Sequence, residues 1–327
     1  MRFVNETGAR ADLIRTERPG DVIATAVIVR ARHRIAPGGR LSLVPPEEQP
    51  EDLRRQPIDC GEYGMLMPDT VYPRNGTDVI VLGEAVCREP SRATRVGVHV
   101  GPYAVEWNVF GDRVWESTLG ELTPSLPERF ERMPVTWARA FGGVTEGEYG
   151  PIPWHANPVG RGFYMSREAA RGQPLPNVES PAQPIKSWTD RPDPAGTGPY
   201  SPTWGLRAMA MVDVDEQAKK VSFHPERGLF DRAHPALSGK KVEPGPMRLV
   251  GWSAEGTIEL AIPEVPWEVR LTFDGRETRL PMELEEILVD LRIGVVDLTY
   301  RAMFRYPVVA HQERLTRVVP RGGQEEG

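Results

Sequence analysis

The sequence predicts an all-β fold of packed, β-sandwich-like antiparallel sheets, with a long proline-rich ordered loop and few short helices. Three observations carry that expectation. Apolar residues recur at every second position in several runs, tight glycine-containing breaks separate the runs, and no long amphipathic helical stripe is present.

The first run is VIATAVIVRARHRI at 22–35. Val27, Val29, Ala31 and Ile35 fall on one face, with Arg30, Arg32 and Arg34 on the other, so the strand reads as buried at its start and half-exposed at its end. TDVIVLGEAVC at 77–87 is short and mostly apolar, as a central strand is. Residues 94–116 alternate twice, through Val96, Val98 and Val100 and then Tyr103, Val105, Trp107 and Val109. Breaks at Gly101-Pro102 and Gly111-Asp112 make this a predicted meander of three antiparallel strands. Farther on, Trp267, Val269, Leu271 and Phe273 alternate up to the hairpin signal Asp274-Gly275. Val296, Leu298, Tyr300, Ala302 and Phe304 share a face opposite Asp297, Thr299, Arg301 and Arg305. Helical windows are confined to EDLRR at 51–55, SREAAR at 166–171 and DEQAKK at 215–220.

A different composition separates these β-rich ends. Residues 151–204 hold eleven of the 33 prolines and three tryptophans, a density that forbids regular ladders. Trp154, Phe163, Tyr164, Trp188, Tyr200 and Trp204 are costly to leave in water, so the region reads as a long ordered loop docked on the sheets. The expected organisation is a β-rich part over 1–150, the loop over 151–210, a second β-rich part over 211–320 and a tail over 321–327, folding as one integrated domain.

Composition excludes several function classes. Net charge is −6 with both signs interspersed, so no basic patch advertises nucleic acid or anionic membrane. The N-terminus lacks an apolar signal region, and the run at 22–29 falls far short of the ~20 residues that span a bilayer. Cys60 and Cys87 read as reduced thiols, which with the missing signal places the chain in the cytoplasm. His33, His99, His155, His224, His234 and His311 are scattered, without ligand spacing for a metal. Neither a nucleophile elbow nor a phosphate loop occurs, so no cofactor and no catalytic residue is expected. Asp112, Glu146, Glu148 and Glu179 lie in or near the loop, but among 46 acidic residues their proximity is ordinary.

The most unusual stretch is HANPVGRGF at 155–163. Asn157-Pro158 favours a turn, and Gly160 and Gly162 permit positive φ or close backbone approach. Arg161 is suited to fork onto carbonyls, or onto a carboxylate such as Asp112 or Glu179. The expected role is loop fastening, shared with Asp112, Arg113 and Trp115 of FGDRVW and with Gly142 and Gly143 of ARAFGG. Trp154, Trp188, Tyr200 and Trp204 are the candidate partner-binding anchors.

The strings VIVLGEA after TD, VFGDRVW, ARAFGG, NPVGRGF, LPNVE and PYSPTWGLR occur in that order. Together they resemble the bacterial domain of unknown function 2169 family, over about residues 20–305. The chain departs from that pattern at Tyr72-Pro73-Arg74-Asn75, where the usual lysine-proline is absent. The resemblance implies a non-enzymatic type VI secretion accessory protein. Such a cytoplasmic adaptor or chaperone binds a toxic effector, often one bearing a PAAR-type tip domain, and helps load it onto the spike. It supplies no catalytic residues. The alternatives are a carbohydrate-active hydrolase, which needs two carboxylates ~5 to ~9 Å apart beside the loop, and a structural component of the spike.

Overall fold

A computed structural model of the chain describes residues 2–50, 56–118, 120–273, 275–308 and 314–321. It is all-β, with two short α-helices among the described residues, Arg167–Ala170 and Gly205–Ala210.

The largest sheet runs in the order Arg10–Arg18, Val22–Ile35, Val295–Pro307, Glu283–Asp290, Asp78–Leu82, with Leu41–Leu43 added beside Val22–Ile35. A second sheet runs Val178–Glu179, Tyr103–Phe110, Ala93–Val100, Gly245–Ser253, Gly256–Ile262. A third joins Arg2–Asn5, Arg314–Pro320, Trp267–Phe273 and Arg276–Pro281. Val27, Val29 and Ala31 from the first, Val96 and Val98 from the second, and Val269 and Leu271 from the third enter one continuous apolar core. Most pairings are antiparallel; Glu283–Asp290 with Asp78–Leu82 and Arg2–Asn5 with Arg314–Pro320 are parallel.

Val22–Ile35 is half-exposed at its end, as expected, with Arg34 exposed and Arg32 partly buried, but farther back both of its faces are covered. Ala24, Ala26 and Ile28 pack with Val71, and Arg30, 2% exposed, pairs with Asp69 at 2.6 Å. Arg32 forks onto its cross-strand partner Asp297, with both contacts at 2.8 Å. Asp297, Thr299 and Arg301, on the face opposite Val296 and Leu298, are likewise buried.

Three other expectations are corrected. The run 77–87 breaks at Gly83 into Asp78–Leu82 and Glu84–Ser91, which belong to different sheets. The first ends its sheet's order; Val81 is satisfied by Thr197, whose carbonyl accepts the Val81 N–H at 3.0 Å and whose hydroxyl donates to the Val81 carbonyl at 2.8 Å. In the predicted meander, only Ala93–Val100 and Tyr103–Phe110 pair with each other; Trp115–Thr118 turns away to pair with Glu121–Pro124. DEQAKK is not helical. It closes a hairpin between Val212–Asp215 and Lys220–Phe223, with Lys219 at φ 48° in the turn. Cross-strand pairing of the flanking valines and Phe223 overrides the helical preference of four or five central residues.

The helix expected at 166–171 spans Arg167–Ala170, capped by Ser166, whose hydroxyl accepts the Ala169 N–H at 3.1 Å. The 51–55 window and Asp274 lie outside the described residues, although the strands flanking Asp274-Gly275 do pair from Phe273 to Arg276. From 194 to 200 the proline-rich loop is buried throughout, threaded between the sheets and the Trp137 side chain.

Candidate interaction surface

HANPVGRGF lies against residues 137–143. Asn157 is fully buried, and its Nδ2 donates to the carbonyls of Trp137 (2.8 Å) and Phe141 (3.1 Å). Its own carbonyl accepts the Gly143 N–H at 2.8 Å. Arg161–Gly162 pairs in parallel with Phe141–Gly142. The contact is too close for side chains: a Cβ on Gly142 would lie 2.0 Å from the Asn157 carbonyl oxygen, and Gly142 also sits at φ 147°. A Cβ on Gly160 would lie 2.4 Å from Asn157 Nδ2, and one on Gly143, at φ 103°, would lie 2.6 Å from the Gly160 carbonyl oxygen. Gly162, at φ 100°, packs under Pro176, and Pro158 is half-buried. Arg161 Nε donates to the Ala138 carbonyl at 2.9 Å.

The carboxylates proposed for Arg161 belong to other cations. Glu179 is buried against Arg113, which also donates to the Pro176 carbonyl at 2.7 Å and stacks on Phe110. Asp112 accepts from Asn177 at 2.9 Å and lies 3.6 Å from Arg139. Trp115, 1% exposed, centres a satellite core with Leu122, Phe141, Phe163 and Leu175. Glu146 and Glu148 stand exposed on a hairpin. Sequence distance hid these pairings, because Arg113 and Glu179 are joined only by folding.

The four anchor candidates differ in access. Tyr200 is 1% exposed, and its hydroxyl donates to the Ala156 carbonyl at 2.7 Å; this buried ring offers no surface to a partner, which corrects the expectation. Trp204 is half-buried against Trp137 and Tyr200, edge-to-face with both. Trp154 is half-buried on Phe141 and Phe163, and Trp188 packs on the same satellite core.

Sequence reading missed two features. The first is a buried charge network centred on Arg74, in the segment where the lysine is replaced. Arg74 lies 3.0 Å from Glu286, 3.3 Å from Asp78 and 3.5 Å from Asp69. Burial alone would lower its pKa, but Glu286, Glu285, Asp78 and Asp69 together raise it. Burial pushes Asp78 up to about 7 against the pull of Arg74. Arg232 and Asp231 bind the 225–234 segment to this network: Arg232 lies 2.8 Å from Asp69, and Asp231 accepts the Asn75 N–H at 2.8 Å and lies 3.3 Å from Arg207. Near its end, His234 is fully buried, with its pKa lowered by burial to about 4.

The second is the hairpin carried on that segment. Val212 pairs with Phe223 and Val214 with Val221, so all four side chains share one face. They are 36%, 58%, 64% and 67% exposed, respectively, and Met209 just before them is 68% exposed. The opposite face holds Asp213, which takes a fork from Arg227 at 2.7 and 2.9 Å and lies 3.2 Å from His224. Asp213 thus joins the polar face to the turn that follows the hairpin, while the apolar face is open. Alternating V-D-V-D and K-V-S-F was the available signal, masked by the helix-forming residues between them.

The exposed aliphatic side chains of this two-stranded ribbon form an apolar surface patch, and the arginines and carboxylates that line the cleft around Arg74 are already paired with one another. A family profile of uncharacterised proteins conserved in bacteria (DUF2169) matches residues 22–301, and the chain belongs to that family. No curated protein and no solved structure matches. No helix among the described residues is long and apolar enough to cross a membrane.

Proposed function

We propose that this protein is a cytoplasmic adaptor or chaperone of a bacterial type VI secretion system that binds an effector and helps load it onto the spike. The exposed apolar face of the 212–223 hairpin carries the reading. Four large side chains in register on an otherwise isolated ribbon are costly in water and gain most by being covered. The secretion role itself comes from the ordered family motifs. A rigid all-β body with a tethered apolar ribbon is suited to holding a client without altering it.

The test is co-expression with the candidate effector encoded beside the gene, followed by gel filtration. A one-to-one complex is expected, with the effector insoluble when expressed alone. An effector that is soluble by itself and forms no complex overturns the reading.

A further inference from the structure

We infer that the hairpin Val144–Gly147/Gly150–Pro153 is a docking element whose tip enters a concave, basic surface on a protein partner; the inference rests on the adaptor reading above. The tip presents Tyr149, 95% exposed, between Glu148 and Gly150, with Glu146 on the adjoining strand. Neither glutamate meets a cation at ion-pair distance among the described residues, whereas Glu179, Asp231 and Asp297 of the scaffold are all paired. An isolated aromatic flanked by two uncompensated carboxylates complements a pocket rimmed by lysine or arginine, and repels an acidic surface or a nucleic acid. Val144, 54% exposed, and Ile152, 39% exposed, add apolar flanks below the tip.

The element is built to hold its shape without the partner. Gly147 leaves room for Ile152 to fold across the tip, since a Cβ there would lie 2.4 Å from Ile152 Cδ1. Gly150 takes the positive φ of the turn, at 118°. At the base the ladder continues as Trp154 N–H to the Gly143 carbonyl, 2.7 Å, and Asn157 grips Gly143 from behind. Trp154 is wedged on Phe141 and Phe163. HANPVGRGF is thus the footing of this hairpin, and a tyrosine on a preorganised tip loses little entropy on docking.

The experiment uses the full chain and the effector that co-purifies with it, with affinity measured by calorimetry at low and high salt. Tyr149→Ala is expected to weaken the complex about tenfold or more. Glu146→Gln with Glu148→Gln is expected to weaken it about threefold at low salt and to match the wild type at high salt. Both variants alter exposed side chains, and their melting temperatures serve as the folding control. Wild-type affinity in both variants, with the complex intact, overturns this inference and leaves the adaptor reading standing. Failure of the wild-type chain to form any complex removes the adaptor reading, and this inference with it.

Discussion

Two hairpins project from the same scaffold and are held in opposite ways. Val144–Pro153 is anchored at its base by backbone contacts so close that only glycine fits, and its exposed weight is concentrated at the tip. Val212–Phe223 is joined through Asp213 to Arg227 in the segment that follows, which Arg232 in turn fastens to Asp69, and its exposed weight is spread along the whole apolar face. A two-stranded ribbon is marginal by itself in water. The molecule supports one by steric fit and the other by ion pairs, so substitutions and pH affect them differently.

Gly142→Ala should be the most damaging change. The added methyl meets the Asn157 carbonyl in a left-handed backbone conformation, and a loss of about 4 kcal/mol is expected in urea unfolding. Asp231→Ala leaves Arg207 buried without its carboxylate and frees the Asn75 amide. The expected cost is about 3 kcal/mol, with proteolysis accelerated within 212–223 and not within 144–153. The reverse cleavage pattern breaks the comparison.

The pH dependence sharpens it. His234 titrates at about 4 in the folded chain, below its ordinary value of 6.5. Between these values the unfolded chain takes up a proton that the folded chain refuses, so this group removes stability as pH falls from about 6.5 toward 4. Asp78 has the opposite sign. Raised from 3.8 to about 7, it is protonated in the folded chain where the unfolded chain has lost its proton, so it adds stability as pH falls through that window. The two slopes nearly cancel. His234→Gln removes one of them, so between about pH 6 and pH 5 the variant should gain roughly 1 kcal/mol relative to wild type. A constant gap between the two proteins over that range refutes this account.

Smaller effects are expected at the remaining positions. Arg161→Ala removes one half-buried bond to Ala138 and should cost about 1 kcal/mol, with partner binding weakened only through the loosened footing. Full stability with binding lost makes Arg161 a direct contact instead. Val214→Thr with Val221→Thr should change stability by less than about 0.5 kcal/mol while reducing effector capture, because both side chains are more than half exposed.

Much of the scaffold was legible. Val27, Val29 and Ala31 announce a buried face by period two, and Gly275 marks a real hairpin between Phe273 and Arg276. Arg30 was misread because alternation separates two faces without saying what covers each; here Asp69 and Val71 cover the second. HANPVGRGF was visible as a stretch needing special backbone, yet its partner surface at 137–143 was not, nor was the hairpin it supports. The 212–223 ribbon was lost because Glu216, Gln217, Ala218 and Lys219 in its turn carry a local helical preference that pairing overrode.

By itself the sequence determined where the long core strands run, where several of their turns fall, and that prolines would keep 151–204 irregular, because rotamer clashes, glycine freedom and the missing proline N–H act within a few residues. Only the tertiary structure decided which strands pair, which charges are desolvated, and which apolar face stays open. Val22–Ile35 meets Val295–Pro307, and Arg74 meets Glu286, across more than two hundred residues. Burial depends on what packs above a side chain, and that neighbour is chosen by the whole chain.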